Sequence, residues 1–238
     1  LETINAASGQ TAGSNFTDTV ESFSHSLQNA SGSDRLVILC VSAASGQVGD
    51  LTIASVTYAG LAPTKVIATV NTSGSVREVY FYAYWDDSDL PATSGSKTVG
   101  FTIGNNGANP ADKYYVLEQT GVNQTTPDAE SATNTMFGTT GQTYTPTLGD
   151  VIIAMITAAS GSTNTDPTAT WSDTELYDGA STGNAACGLS VGYATDGSIT
   201  GTLSASLTSQ GWIAVSFLAA ASGGSIIPQI MHHRRQMQ

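Results

Sequence analysis

The chain has 238 residues, 19 of them acidic and 7 basic, for a net charge of -12, and only 11% of residues are charged at all. A balance that acidic excludes the clustered Lys and Arg that a phosphate backbone requires, so nucleic acid is not an expected partner. No apolar run approaches the length of a membrane span, and the length allows a sizeable core without disulfides or metals.

Taken in order, residues 2–14 predict an edge strand running into a Gly/Ser loop. Residues 16–27 alternate, and Phe16, Val20, Phe23 and Leu27 contribute to one apolar surface if a bulge corrects the phase. The polar cluster 29–34 is a turn. The run 35–42, RLVILCVS, is almost wholly apolar and bounded by Ser and Gly, which suits a central strand buried on both faces. Residues 51–58 and 61–70 predict a hairpin across Ala59-Gly60. Residues 76–85, VREVYFYAYW, form an aromatic strand.

Further strands are expected at 97–103, 114–120 and 142–147, then a second buried run at 151–157, VIIAMIT. Strands at 168–176, 185–193 and 199–207 precede the third buried run at 212–218, WIAVSFL. Turn signals recur about every ten residues, as in a sandwich or barrel. The expectation is an all-β fold: a single antiparallel β-sandwich, jelly-roll or Ig-like Greek key, over 1–221. A Gly/Ser linker opens a flexible C-terminal tail over 222–238. The chain opens directly into Leu1-Glu2-Thr3 with no visible signal peptide.

Cys40 and Cys187 each fall in a strand among apolar or small residues. Buried inert thiols are the simpler reading, and a disulfide in an oxidising compartment is the alternative. Asn15, Asn29, Asn71 and Asn123 open Asn-x-Ser/Thr triplets, which arise by chance in so Ser- and Thr-rich a chain.

Several phrases occur in series. Phe23-Ser24-His25 is followed by Asp34-Arg35-Leu36, then Val56-Thr57-Tyr58-Ala59-Gly60, then 121–127 (GVNQTTP), and last Trp212 to Phe217. This order resembles a loosely defined family of β-sandwich modules in phage structural proteins and bacterial surface proteins. The resemblance spans about residues 16–220. It implies a sandwich fold and a virion or extracellular setting, and it brings no catalytic residues.

Candidate chemistry is sparse. His25 lies between two serines, but no nucleophile elbow accompanies it, so a partly buried structural histidine is the plainer reading. Asp86, Asp87 and Asp89 are oxygen donors close enough for Ca²⁺, without the EF-hand pattern; a solvated loop is the simpler account. No other cofactor is expected. Alternation places Tyr80, Tyr82 and Tyr84 on one face of the aromatic strand. That face is either a sugar-stacking platform or the second buried face of a sandwich strand, and the second is favoured.

The tail ends IIPQIMHHRRQMQ. It puts Ile226, Ile227, Ile230 and Met231 beside His232, His233, Arg234 and Arg235, an apolar and basic segment on an acidic protein. A docking peptide for another subunit of the same protein, or for a capsid or tail protein, is the reading this contrast suggests. The function expected is therefore non-enzymatic: a structural protein displayed on a virion, as a capsid decoration or tail-associated homo-oligomer, or in a similar extracellular assembly. The alternative is a carbohydrate-binding adhesion module.

Overall fold

The computed structural model describes residues 8–13, 20–28, 34–45, 51–73, 76–104, 111–123, 129–133, 139–146, 151–160, 168–180, 186–195, 197–204 and 209–220. The tail with Ile226, Ile227, Ile230, Met231, His232, His233, Arg234 and Arg235 lies outside the described residues, as do Phe16, Asn15 and Asn29.

The first eight strands are β1 (Ser8–Gly13), β2 (Val20–Leu27), β3 (Leu36–Ser45), β4 (Thr52–Tyr58), β5 (Lys65–Ser73), β6 (Val76–Asp86), β7 (Gly95–Gly104) and β8 (Ala111–Gln119). The next eight are β9 (Ala129–Thr133), β10 (Gln142–Tyr144), β11 (Val151–Ser160), β12 (Ala169–Trp171), β13 (Thr174–Ala180), β14 (Ala186–Ala194), β15 (Ile199–Leu203) and β16 (Ser209–Phe217). They form four antiparallel sheets rather than the two of a single sandwich: β1-β8-β3-β6-β5, β2-β7-β4, β9-β16-β11-β14-β13 and β10-β15-β12. Adding eight to each strand number converts the first two sheets into the last two. The chain is thus one eight-stranded unit repeated.

The apolar clusters give the layer order. One side of the first five-stranded sheet (Val37, Leu39, Val41, Phe81, Trp85) packs on the first three-stranded sheet through Tyr58, Val99 and Phe101. Its other side (Leu36, Ile38, Cys40, Tyr80, Tyr82, Tyr84) packs on Ile153, Met155, Val191, Ile213 and Val215 of the second five-stranded sheet. That sheet's far side (Ile152, Ala154, Ile156, Trp212) packs on Trp171, Ile199 and Leu203 of the last. The order is three, five, five and three strands, with the five-stranded sheets inside. Their mutual face is a seam between the repeats.

Burial explains the sequence pattern. The inner strands β3, β6 and β16 touch core on both faces and are buried almost throughout, so they read as continuous apolar runs. The outer strands β7 and β15 alternate, because one of their faces meets solvent. β3 is the middle strand of its sheet. The seam is also reciprocal: β8 packs on β14 as β16 packs on β6, and β3 on β14 as β11 on β6. Such reciprocity is the mark of a two-fold, isologous contact.

Two corners depart from the sequence reading. Ala59 and Gly60 do turn the chain, both at positive φ, and Tyr58 bridges Leu61. But β4 and β5 do not form a hairpin. β4 stays in the outer sheet beside β7, whereas β5 crosses to the inner sheet beside β6. The second repeat turns at the same place, so the expected strand 168–176 is divided into β12 in the outer sheet and β13 in the inner one. Local alternation cannot reveal a corner at which a strand changes layers.

A substitution checks the central place of β3. Leu39 is fully buried. An unpaired carboxylate there costs several kcal/mol, against a total stability of about 5–15 kcal/mol. Leu39→Asp is expected to give no cooperative thermal unfolding transition and an insoluble product. A soluble variant melting at the wild-type temperature would show that β3 is not central.

Candidate functional site

The polar groups buried in this apolar stack gather at a few places. The first is the seam. Glu78 on β6 is fully buried. Its Oε2 accepts from Ser209 Oγ on β16 at 2.5 Å, and its Oε1 from Ser42 Oγ on β3 at 3.4 Å. The Thr157 hydroxyl on β11 faces the same carboxyl group. Close by, Asn71 Nδ2 on β5 donates to the Gln210 carbonyl at 3.1 Å, and Cys187 Sγ to the Ser42 carbonyl at 3.7 Å. One carboxyl group and its hydroxyl partners thus tie the two repeats together at one end of the seam. Burial raises the Glu78 pKa above its ordinary value of 4.5, and the hydroxyl donors only partly oppose that shift.

The second place is the core of the first repeat. His25 on β2 is fully buried, with Nδ1 3.0 Å from the Tyr58 hydroxyl on β4 and Nε2 3.6 Å from Glu118 Oε1 on β8. Glu118 Oε1 also accepts from the Gln28 backbone N–H at 2.9 Å. Burial first, and then the charge of Glu118, raises the pKa of the Tyr58 hydroxyl, which is held neutral. The second repeat has a counterpart. Ser216 pairs with Ile152 as Glu118 pairs with Val37, and Ser216 Oγ lies 3.2 Å from the Tyr144 hydroxyl on β10. In each repeat the eighth strand offers a polar side chain that the second strand meets across the core. His25 therefore links two layers, and is fully rather than partly buried. His25 and Tyr58 are both fully buried, and no surface of either faces solvent.

The acidic turn is built into the fold as well. Asp86 caps a 3-10 turn over Asp87–Asp89, its Oδ1 accepting from Ser88 N at 3.0 Å and Ser88 Oγ at 2.6 Å. Asp87 pairs with Arg35 Nε, and Arg35 Nη1 donates to the Pro91 carbonyl at 3.0 Å. Asp89 Oδ2 accepts from Thr64 Oγ1 at 2.7 Å. The three carboxylates thus point to three different partners rather than to one centre. Among the described residues, no group of three or more His, Cys, Asp or Glu is placed to hold a metal ion.

Tyr80, Tyr82 and Tyr84 do share a face, and that face is the seam. They are 0%, 1% and 2% exposed, which leaves no ring surface for a sugar to stack on; the platform considered for them is corrected to a buried face. Asn71 is buried and donates across the seam, so its triplet is no glycan acceptor in the folded chain. Among the described residues, the hollow bounded by Ile156, Asp178, Ser190 and Leu203 measures about 10 Å³, room for a single water.

Sequence reasoning passed over Glu78 and Glu118. Both had a signal: a carboxylate next to the apolar and aromatic run of an inner strand. It also missed Val66 and Val70 on β5, which are 37% and 41% exposed.

No family model matches the chain. No curated protein and no solved structure matches it either.

Two measurements follow from the seam. A carboxyl group whose folded pKa is raised adds stability that is present below its unfolded pKa and lost as pH rises through the folded value. The melting temperature is expected to fall as pH rises above about 4.5, with Glu78→Gln flattening that slope. An unchanged slope in Glu78→Gln would remove Glu78 as its source. Cys40 and Cys187 are both buried thiols, and burial pushes the Cys40 thiol up to about 12. Neither is expected to react with a thiol reagent in the native protein, and both should react after denaturation. Prompt native labelling would contradict their burial.

Proposed function

We propose that this protein is a non-enzymatic structural subunit, displayed on a virion or a similar extracellular assembly and joined to it by the segment 226–235. The observation that carries this reading is a contrast. A chain of net charge -12 bears one segment that puts four large apolar residues beside His232, His233, Arg234 and Arg235. Such a segment fits an apolar surface with an acidic rim better than it fits water.

The body supports the reading in two ways. Its strand order within each repeat, 1-8-3-6 and 2-7-4, is that of a jelly roll whose fifth strand lies on the larger sheet. Its buried polar groups connect layers: Glu78 across the seam, and His25 with Glu118 inside the first repeat. Among the described residues, His25, Glu78 and Glu118 are engaged with partners inside the scaffold. The phage and bacterial-surface phrases of the sequence agree with this context.

Truncation after Ala221 tests the proposal. The shortened chain is expected to melt within a few degrees of the full chain but to lose its self-association, or its binding to a shell or tail protein, in sedimentation velocity. Normal assembly of the truncated chain would refute the docking role. Selective binding on a glycan array, unaffected by the truncation, would favour an adhesion module instead.

A further inference from the structure

The seam offers a comparison within one molecule. Glu78 pairs with Ala44 on β3 as Cys187 pairs with Ala159 on β11, so the two residues hold equivalent places in the two repeats. Each reaches across the seam from its own side. Glu78 accepts from the Ser209 hydroxyl of the second repeat, and Cys187 Sγ donates to the Ser42 carbonyl of the first. The scaffold closes this position with an uncharged thiol in one repeat. In the other it places a group that can ionise.

Neutral Glu78 suits the place. Its carboxyl group has one hydrogen to donate and oxygens to accept, and the hydroxyls of Ser209, Ser42 and Thr157 stand around it. The carboxylate suits it poorly. It puts a charge in a fully buried position, where the groups that oppose the cost of burial are those three hydroxyls. Among the described residues, the titratable groups nearest by register on this face are Tyr80 on β6, Cys187 on β14 and Lys113 on β8. Lys113 pairs with Ser42, one strand further away, and the charge of Glu78 raises the Tyr80 pKa. β5, β11 and β16 set Asn71, Thr157 and Ser209 against the carboxyl group, none of them titratable. Arg77 and Asp112 pair with Ser45 and Ala43, on the opposite face of the sheet.

Position decides what ionisation can do. Glu78 is the third residue of β6, so it lies near an end of the seam. Small side chains surround that end: Ala44, Ala159 and Cys187 cluster there with Val76. The middle is filled by Ile38, Tyr82, Met155 and Ile213. Water can reach the carboxylate by a local parting of strand ends, without exposing the large apolar faces. We propose that Glu78 is a proton-dependent latch: neutral, it holds this end of the seam shut, and ionised, it parts the two repeats there while the middle of the seam stays packed. The latch goes beyond the assembly reading above and does not depend on it.

Hydrogen exchange of the full chain, followed by mass spectrometry over a pH series and corrected for the intrinsic rate, tests the latch. The melting-temperature slope expected above would follow from any carboxyl group buried with a raised pKa; exchange confined to the strand ends is what the latch alone requires. From about 4.5 up to the raised folded value, opening at residues 76–79 and 209–211 is expected to grow by up to about tenfold per pH unit. Residues 82–85 and 213–215, further along the same strands, are expected to keep their protection. Glu78→Gln should remove the pH dependence. Glu78→Cys, which copies the second repeat, makes the same check if the amide variant does not fold. Loss of protection at the ends and further along together would mean that the carboxyl group destabilises the whole fold, and would overturn the latch. So would ends that open with pH in wild type and variants alike, or a wild type whose ends show no pH dependence.

Discussion

Two five-stranded sheets, each buried on both faces, constrain everything else in this molecule. A strand in that position meets no water, so all of its side chains must be apolar or have a polar partner within reach. β3, β6, β11 and β16 meet the condition with long runs of Val, Ile, Ala and aromatic residues. The few polar groups on the seam fall into line with it: Glu78 takes a hydroxyl donor from the other repeat, and Asn71 donates to a carbonyl there. Neither repeat could expose its half of this seam cheaply, because the large apolar face would be left in water. The four layers are therefore one packed body, although their topology is that of a duplicated unit.

The outer sheets answer a different requirement. They need cover the inner sheets on one side only, and have three strands to the inner sheets' five. The fifth strand stands at the end of the inner sheet in both repeats, and in the second its Asp178 Oδ2 accepts from the Ala169 N–H of β12 at 3.2 Å. Corner residues decide this, since the chain must leave the outer sheet after β4 or β12 and join the inner one. Tyr58 and Trp171 occupy equivalent positions just before those corners, each buried, with the Trp171 indole N–H donating to Ser190 Oγ at 2.9 Å. A large aromatic ring with a polar edge suits that place: it fills the core where the strand departs and still satisfies its own polar atom.

Much of this was legible in the residues. The three apolar runs were recognisable as doubly buried strands because nothing in them alternates, and the outer strands because they do. The duplication was legible too, but only by comparing the chain with itself: Ser42-Ala43-Ala44-Ser45-Gly46 is matched by Thr157-Ala158-Ala159-Ser160-Gly161, and Val56-Thr57-Tyr58 by Ala169-Thr170-Trp171. A reading that goes from one segment to the next sees two similar strands and assigns both to one sandwich. The layer-changing corners were hidden for another reason. Alternation reports which face of a strand is buried, not which sheet the strand belongs to. The same ambiguity covered Tyr80, Tyr82 and Tyr84, for a ring on the second face of a strand can meet a sugar or a second sheet, and only the fold decides. Glu78 and Glu118 stood out in principle, because a carboxylate inside an apolar strand needs a buried partner, but that partner lies far off in sequence.

Duplication also clarifies where the repeats have been free to differ. The seam is reciprocal, so a change on one side of it is felt by the equivalent strand on the other, and both sides keep apolar residues at equivalent positions: Leu36 and Val151, Ile38 and Ile153, Cys40 and Met155. The end strands differ more. There the first repeat has Val66 and Ala68, both exposed, where the second has Glu175, also exposed, and Asp178, whose Oδ2 accepts from the Ala169 N–H of the outer sheet at 3.2 Å. The second repeat also breaks its register there with a bulge between Glu175 and Tyr177, which the first does not. A duplicated scaffold thus keeps its doubly buried seam apolar in both copies, because both copies must fill it, and varies where only one face of a strand is covered.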